Sequence, residues 1–192
     1  MKKPYKKMPE IDLGHIMLRT INLTDSKDVF EYGSNHRVTE FLNWGPFVHE
    51  SEARKTIERI FYPRIKKGLP IGYAIISKNN SKMIGTIDFH SKIKKDNSVE
   101  IGFVLHQDYW NQGIMSRCIK EMIELGFNYL NYDLIRIKHL KKNIASQKVI
   151  EKAGFKYKRT EIYSLEKRNG ILSDDLLIYE YKKEDYHGSQ QS

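Results

Sequence analysis

The chain has 192 residues, of which 40% are hydrophobic and 30% charged, a composition that suits one globular domain with its own core. Its single cysteine, Cys118, excludes an intramolecular disulfide and any zinc site built from several cysteines. No apolar run approaches the roughly 18 residues of a membrane span, and the lysine-rich start lacks the apolar segment of a signal peptide. A cytoplasmic protein with no membrane contact is expected.

Positive charge is in excess, with 33 Lys and Arg against 24 Asp and Glu, a net charge of +9 and a pI near 9.4. It is concentrated between residues 136 and 159 and at the N-terminus, in Lys2, Lys3, Lys6 and Lys7. Such charge suits contact with RNA or a ribosome, and equally suits a strongly anionic small molecule. No C-x-x-C, G-x-x-G or RNP-type aromatic block accompanies it, so direct nucleic-acid binding is not expected.

The first part of the chain predicts one strand and two helices. Residues 1–14 are polar with two prolines and predict a flexible lead-in. Residues 16–23 alternate as a strand does, and Thr24 or Asp25 can cap a helix that runs to about Ser34. After a helical turn at 38–42 and a loop, a second helix begins at Ser51, and Pro63 should weaken its last turns.

Strands dominate the middle of the chain. Residues 71–77 and 83–90 read as strands joined by a polar hairpin loop, and a second polar loop at 92–98 leads into a strand at 99–106. Strands that follow strands predict antiparallel pairing. After a helix at 114–130, strands at 134–140, 155–165 and 176–182 surround a short helix at 146–153, which predicts parallel neighbours there. The polar residues 184–192 predict a disordered tail.

The segment from Val99 to Leu130 joins a strand to an amphipathic helix through a polar turn that contains Gly113. The apolar face of the helix includes Cys118, which predicts a core role for this cysteine rather than a reactive thiol. Backbone N–H groups at a helix start, with the positive end of the helix dipole, form a site for an anion. An ordinary strand-to-helix turn is the alternative. The chain lacks G-x-x-x-x-G-K-[ST] and a strand followed by G-x-G-x-x-G, which argues against nucleotide hydrolysis and dinucleotide binding.

Three segments resemble one family. Residues 100–116, E-I-G-F-V-L-H-Q-D-Y-W-N-Q-G-I-M-S, are similar to the acetyl-coenzyme A segment of the GNAT superfamily, in particular its Rim-type branch of ribosomal-protein N-terminal acetyltransferases. Two further motifs of that branch resemble segments of this chain. One is N-I-A-S at 143–146 with V-I-E-K-A-G-F at 149–155, and the other is L-N-W-G-P-F-V at 42–48. The matches come in the family's order and cover most of residues 16–182.

The resemblance implies an α/β fold: one GNAT-like domain over residues 15–183, preceded by the lead-in 1–14 and followed by the tail 184–192. Its sheet would be mixed and mostly antiparallel, with about seven strands, flanking helices and a splay at the acetyl-coenzyme A site. Acetyl-coenzyme A would be the co-substrate, and no metal is implied.

The resemblance also implies cofactor contacts. The pyrophosphate would lie on the turn formed by Asn111, Gln112, Gly113, Ile114, Met115 and Ser116. The pantetheine arm would pair with Phe103, Val104 and Leu105, one of whose N–H groups would be the oxyanion donor, and Asn143 would bond the same arm. The sequence departs from the family pattern at Trp110, which replaces Gln or Arg, and at Met115, which is bulkier than the usual Gly or Ala.

For catalysis, the resemblance suggests Glu100 as a general base acting through a water. A surface carboxylate or a partner for a nearby lysine is the alternative. His90 and His106 are further candidates because histidine titrates near neutral pH, as are Glu161 and Glu166 on a later strand. Ser146 would stabilise the leaving thiolate, since Ile150 occupies the position where many members carry a tyrosine. Its ordinary role would be a hydroxyl at a helix start.

The acceptor site would be walled by Asn43, Trp44 and Phe47, with an anchored turn as the alternative. The expected function is N-acetyl transfer to a primary amine, above all the α-amine of a protein or peptide N-terminus, with ribosomal protein as the implied class. The alternatives are a small amine (polyamine, amino acid or amine-bearing antibiotic) and a non-catalytic basic module that associates with ribosomes or RNA. The sequence leaves open whether the chain is a monomer or a homodimer.

Overall fold

The computed structural model describes residues 8–168 and 170–186, and their strands form a mixed sheet. The strands are β1 Ile11–Asp12, β2 Ile16–Thr20, β3 Tyr73–Ser77, β4 Met83–Ile93, β5 Ser98–Leu105, β6 Leu134–Leu140, β7 Lys156–Lys167 and β8 Gly170–Lys182. Their order is β1-β2-β3-β4-β5-β6-β8-β7. The helices are α1 Ser26–Gly33, α2 His36–Thr39, α3 Glu50–Thr56, α4 Ile114–Glu124 and α5 Ile144–Lys152.

The sheet confirms the predicted fold class. β5 and β6 are parallel, whereas β1–β2, β2–β3, β3–β4, β6–β8 and β7–β8 are antiparallel. The described residues hold eight strands instead of about seven, because β1 lies inside the segment predicted as a lead-in. β8 starts at Gly170 rather than 176, since the polar run Ser173–Asp175 concealed its first half from a hydrophobic pattern.

At both ends, some residues of the predicted flexible segments make defined contacts or turns in the structure. Met8 is 2% exposed and its N–H donates to Thr20 Oγ1 at 2.7 Å, and Ile11 pairs with Leu18. At the other end, Lys183–Asp185 forms a 3₁₀ turn. One buried methionine and an edge strand of two residues are too short to produce a recognisable hydrophobic pattern in the sequence. Residues 1–7 and 187–192, with the four N-terminal lysines, lie outside the described residues.

The first helix begins at Ser26, so Asp25, one of the two expected caps, is at its N-cap position, although its side chain makes no capping bond to α1 because the entry is a 3₁₀ turn. Asn22 Oδ1 accepts from the Thr24 N–H, and the Asp25 carboxylate accepts from the Asn22 N–H. α3 continues as a π turn, Ile57–Phe61, and a 3₁₀ turn, Tyr62–Lys67. The α-helical conformation has therefore ended before Pro63, as predicted from the missing N–H of proline. α4 likewise passes into a π turn at Leu125–Tyr129.

The chain divides into two compact units. The first holds the residues up to 89 and Gly102–Ile114, and its core is an apolar cluster under α1 and α3 that includes Tyr32, Phe47, Ile57 and Val104. The second holds His90–Ile101 and the residues from 115 onward, and it buries the predicted apolar face of α4. Cys118 on that face is fully buried, and burial raises the pKa of its thiol to about 12, which confirms its core role.

Candidate active site

The end of β5 lies outside the pairing of that strand with β6. The parallel register joins Ser98 to Leu134 and Glu100 to Arg136. The residues expected to pair with the pantetheine arm come after these pairs along β5; they are Phe103, Val104 and Leu105. This part of β5 is thus not paired with β6 in the register, an arrangement that suits an extended ligand added in the manner of a strand.

Two hydrogen bonds fix the end of β5 inside the first unit. The His106 N–H donates to the Ile84 carbonyl at 2.7 Å, and Trp110 Nε1–H donates to the Leu105 carbonyl at 2.8 Å. The Trp110 ring is half-buried against the apolar cluster. The sequence marked Trp110 only as a departure from the family pattern; its structural role is to tie the turn back to the strand.

The turn that precedes α4 is exposed and has two residues in the left-handed region. Asn111 has φ +59° and Gly113 φ +71°, and a Cβ at Gly113 would meet no atom within 4 Å. The first N–H groups of α4 have no partner within the helix and lie at the positive end of its dipole. A set of exposed backbone donors at a helix start is the chemistry that a pyrophosphate requires, so these residues fit the anionic part of acetyl-coenzyme A.

Side chains in the first turn of α4 do not crowd this set of donors. Ile114 is 5% exposed and Met115 is 6% exposed, so both side chains are packed into the protein. The bulk of Met115, which departs from the family pattern, is therefore removed from the exposed turn. Ser116 is half-buried at the same helix start.

In the second unit, Asn143 caps α5. Its Oδ1 accepts from the Ser146 N–H at 3.1 Å, and its own N–H donates to the Leu140 carbonyl at 2.8 Å. The capping uses only the oxygen of the amide, which leaves the Nδ2 donors for a ligand carbonyl. Because Asn143 supplies the cap, the Ser146 hydroxyl is not needed for it, and no described residue bonds that hydroxyl.

Glu100 is a buried carboxylate in an ion pair. It is 7% exposed, its Oε1 lies 2.6 Å from Lys138 Nζ, and its Oε2 lies 3.7 Å from His90 Nδ1. The surface position that the sequence left open is wrong, whereas the lysine partner is present. A carboxylate beside a histidine and a lysine can accept a proton through a water, and it can equally serve to neutralise the ammonium.

The alternative bases are engaged elsewhere. His106 Nδ1 accepts from the Asp108 N–H at 3.2 Å, so its proton is on Nε2, which lies 4.0 Å from Glu31 Oε1. This side chain is 15% exposed and caps a 3₁₀ turn directly after β5. Glu161 is exposed and paired with Arg159 at 2.7 Å, and Glu166 is exposed on β7.

The predicted acceptor loop belongs to the first unit, and its residues have different environments. Phe47 is 9% exposed in the core, and its N–H donates to the Gly33 carbonyl at 2.9 Å. Trp44 stacks on Phe47 with ring centroids 5.0 Å apart, and Asn43 is exposed. Phe47 therefore anchors the loop, which leaves Asn43 and the free part of Trp44 to contact an acceptor.

Two features are missing from the part of the chain that the structure describes. Residues 8–168 and 170–186 contain no group of three or more His, Cys, Asp or Glu side chains that could hold a metal ion. Within the same residues, no helix is long and apolar enough to cross a membrane.

Comparison with known proteins connects this geometry to a family. The family model for the acetyltransferase (GNAT) domain matches residues 15–156. The N-acetyltransferase p20 of Bacillus licheniformis is 30% identical over 173 residues, which cover 90% of this chain and 96% of p20.

Solved structures show the same fold. The ribosomal-protein-S5-alanine acetyltransferase of Vibrio fischeri matches with a TM-score of 0.77 at 20% identity, over 94% of this chain and 100% of that one. The microcin C7 self-immunity acetyltransferase MccE, solved with acetyl-coenzyme A and AMP, matches with a TM-score of 0.74 at 20% identity, over 88% and 92%. Since the family model spans more than half of the chain and p20 aligns along most of it, the chain belongs to the GNAT family of N-acetyltransferases.

Proposed function

We propose that the protein transfers the acetyl group of acetyl-coenzyme A to the α-amine of a protein or peptide N-terminus. The observation that carries the cofactor part is the exposed turn at Asn111–Gly113, with two left-handed residues, that leads directly into the start of α4. Its N–H groups would bind the pyrophosphate, with Gln112 and the backbone of Ile114, Met115 and Ser116 completing the site. The bound co-substrate supplies an activated acetyl thioester.

The remaining cofactor contacts are assigned by the chemistry of each group. Phe103, Val104 and Leu105 pair through their backbone with the amides of the pantetheine arm, and Asn143 donates from Nδ2 to the same arm. One N–H of the three strand residues stabilises the negative charge that develops on the acetyl oxygen.

Proton transfers are assigned to two side chains. Glu100 takes a proton from the acceptor ammonium through a water, because only the neutral amine has the lone pair that attacks the acetyl carbon. As the new C–N bond forms and the C–S bond breaks, the Ser146 hydroxyl donates a hydrogen bond to the leaving thiolate, which leaves as the free thiol with the proton that the attacking nitrogen releases. The hydroxyl is free for this role because Asn143 provides the helix cap.

Acceptor recognition is assigned to Asn43 and Trp44, which Phe47 holds in place from the core. A protein N-terminus is favoured because one similar structure is named a ribosomal-protein-S5-alanine acetyltransferase. A small amine is the second candidate, favoured by the name of MccE as a microcin self-immunity acetyltransferase.

An amine panel tests the proposal. The purified protein is mixed with acetyl-coenzyme A and, in separate reactions, with peptides that begin with alanine or serine, polyamines, amino acids and an amine-bearing antibiotic. The free thiol released is measured. Turnover with peptides whose α-amine is free, lost on N-terminal blocking, is the expected result. Turnover with small amines alone would overturn the protein-acceptor assignment. If the protein acetylates no amine and does not bind acetyl-coenzyme A, a non-catalytic basic module would be favoured.

A further inference from the structure

Gly85, on β4, lies against the end of β5 where no side chain could be accommodated. A Cβ built on Gly85 would meet the Val104 carbonyl oxygen at less than 3.0 Å, its carbon at 3.2 Å and Leu105 Cα at 3.1 Å. These are backbone atoms, so no rotamer change could relieve the contact. Glycine within a strand commonly marks such a close approach of another backbone.

The Val104 oxygen is directed at the Cβ position of Gly85, since the oxygen lies closer to it than the Val104 carbonyl carbon does. In a sheet, Cβ atoms project out of the plane while inter-strand carbonyls lie within it. The Val104 oxygen is the atom nearest to the Cβ position of Gly85. It therefore points out of the plane of the sheet. The neighbouring strand is irregular at the same place, since the pairing of β4 with β3 steps from Ile75↔Gly85 to Ile76↔Met83 and leaves Ile84 as an extra residue.

The direction of the Val104 oxygen determines the direction of the next N–H. In a trans peptide unit the C=O and the following N–H point in opposite directions. With the Val104 oxygen directed at Gly85, the Leu105 N–H is directed away from β4. Two bonds hold the next peptide group, 105–106: His106 N–H donates to Ile84 O and Trp110 Nε1–H donates to Leu105 O, which limits rotation of the adjoining 104–105 group.

We propose that Gly85 is a positioning residue for acetyl transfer: its missing side chain lets the Val104 carbonyl turn toward β4, which orients the Leu105 N–H as the donor to the thioester oxygen. This inference rests on the proposed function, because it concerns the donor that the acetyl oxygen would meet. A side chain at position 85 displaces the peptide group 104–105 and misdirects that donor, although it touches neither the cofactor nor the acceptor.

The experiment compares Gly85→Ala with Ile87→Val, a control on the same strand. Ile87 is fully buried and pairs with Tyr73 on β3, so its variant removes one buried methyl group from the same strand. Three quantities are measured in each variant: the melting temperature with and without acetyl-coenzyme A, kcat and KM for acetyl-coenzyme A, and the NMR resonance of the Trp110 indole N–H. Trp110→Phe assigns that resonance.

The expected result for Gly85→Ala is a cooperative melt, a shifted indole resonance, and a kcat lower by about 10²-fold, the loss that a misplaced catalytic group typically causes. Ile87→Val should keep the wild-type kcat and indole resonance, even where its melting temperature falls as far as that of Gly85→Ala or further. If Gly85→Ala does not fold, Trp110→Phe replaces it, because it removes the bond to Leu105 while it retains a ring, and it should lower kcat in the same way.

The outcomes separate this inference from the proposed function. A wild-type protein that neither binds nor turns over acetyl-coenzyme A overturns both. A wild-type protein that turns over, with Gly85→Ala equal to it in kcat and in indole resonance, overturns the inference alone. In the replacement experiment, an unchanged kcat in Trp110→Phe likewise overturns the inference alone.

Discussion

Glu100 Oε1 and Lys138 Nζ lie 2.6 Å apart, and the Glu100 side chain is 9% exposed. The two residues stand on neighbouring parallel strands, two positions apart in the register that pairs Glu100 with Arg136. A carboxylate proposed as a base is thus already bonded to an ammonium. Any experiment on Glu100 must therefore separate proton transfer from the cost of leaving Lys138 unpaired.

Glu100→Gln should lower kcat by about 10²–10⁴-fold at pH 7, since the amide cannot accept the proton of the acceptor ammonium. The deficit should narrow as the pH approaches the pKa of the acceptor amine, because solvent then deprotonates it. The measurement is kcat against pH from about 6.5 to 9.5 with saturating acceptor. Ser146→Ala should instead lower kcat by a factor that changes little with pH.

The control for this prediction is Glu100→Gln combined with Lys138→Met. The double variant removes the unpaired ammonium and should recover melting temperature without recovering kcat. Recovery of both would assign Glu100 to structure, as would a Glu100→Gln profile that runs parallel to that of the wild type.

Gly113→Glu should abolish the rise in melting temperature that acetyl-coenzyme A causes, because it places a negative side chain at the phosphate turn. A ligand that binds only the folded state stabilises it by about 2.7 kcal/mol at a concentration of 100 Kd. Gly68→Glu is the matched control: Gly68 has φ +73° against +71° for Gly113, and a Cβ at either position would meet no atom within 4 Å. Equal loss of the response in both variants would indicate backbone strain, and the turn would then lose its assignment to phosphate.

Asn143→Asp should weaken acetyl-coenzyme A binding without lowering stability. An aspartate accepts the Ser146 N–H as well as asparagine does, but it lacks the amide donors proposed to bond the pantetheine arm. An unsatisfied carbonyl typically costs about 1–3 kcal/mol, so KM should rise by about 5- to 150-fold. Asn143→Ala should lose both binding and, through the cap, about 0.5–2 kcal/mol of stability. Unchanged KM in Asn143→Asp would restrict Asn143 to capping.

Asn43→Ala should raise KM for the acceptor and leave KM for acetyl-coenzyme A unchanged, because the side chain is exposed and removal leaves no cavity. Trp44→Ala should weaken acceptor use in the same way, with some loss of stability from the lost stacking on Phe47. Phe47→Ala should behave differently and destabilise the protein by about 3–5 kcal/mol, as truncation of a buried phenylalanine does. If Asn43→Ala and Trp44→Ala leave acceptor kinetics intact in folded protein, the loop is structural.

His139 should make the protein less stable below neutral pH. Its Nδ1 lies 2.8 Å from the Leu140 carbonyl, it is 5% exposed, and burial lowers its pKa below the ordinary value of 6.5. The unfolded chain therefore binds the proton more readily than the folded one. The contribution is fully present above pH 6.5 and is lost as the pH falls below that value. His139→Phe, which keeps a ring beside Tyr179, should flatten the melting-temperature profile between about pH 7 and 5; an identical profile would contradict the assignment.

Parts of the site that lie in one continuous segment could be predicted from the sequence. The turn at Asn111–Gly113 uses backbone groups only a few residues apart, so a local pattern contains it, whereas the sequence assigned the helix start at α5 to Ser146 and the structure gives its cap to Asn143. The partnership of Glu100 with Lys138 and the contact of Gly85 with Val104 depend on strand register instead. Alternation of side chains assigns a residue to a face, but a one-residue slip changes its partner.

The burial of Cys118 has a practical consequence for enzymology. The chain has no other cysteine, and this thiol is fully buried with a pKa raised to about 12. Reagents that react with thiolates should therefore leave the native enzyme unlabelled while they capture each coenzyme A that it releases. Acetyl transfer can be followed continuously in unmodified protein, and the appearance of one protein thiol per chain would signal unfolding during the assay.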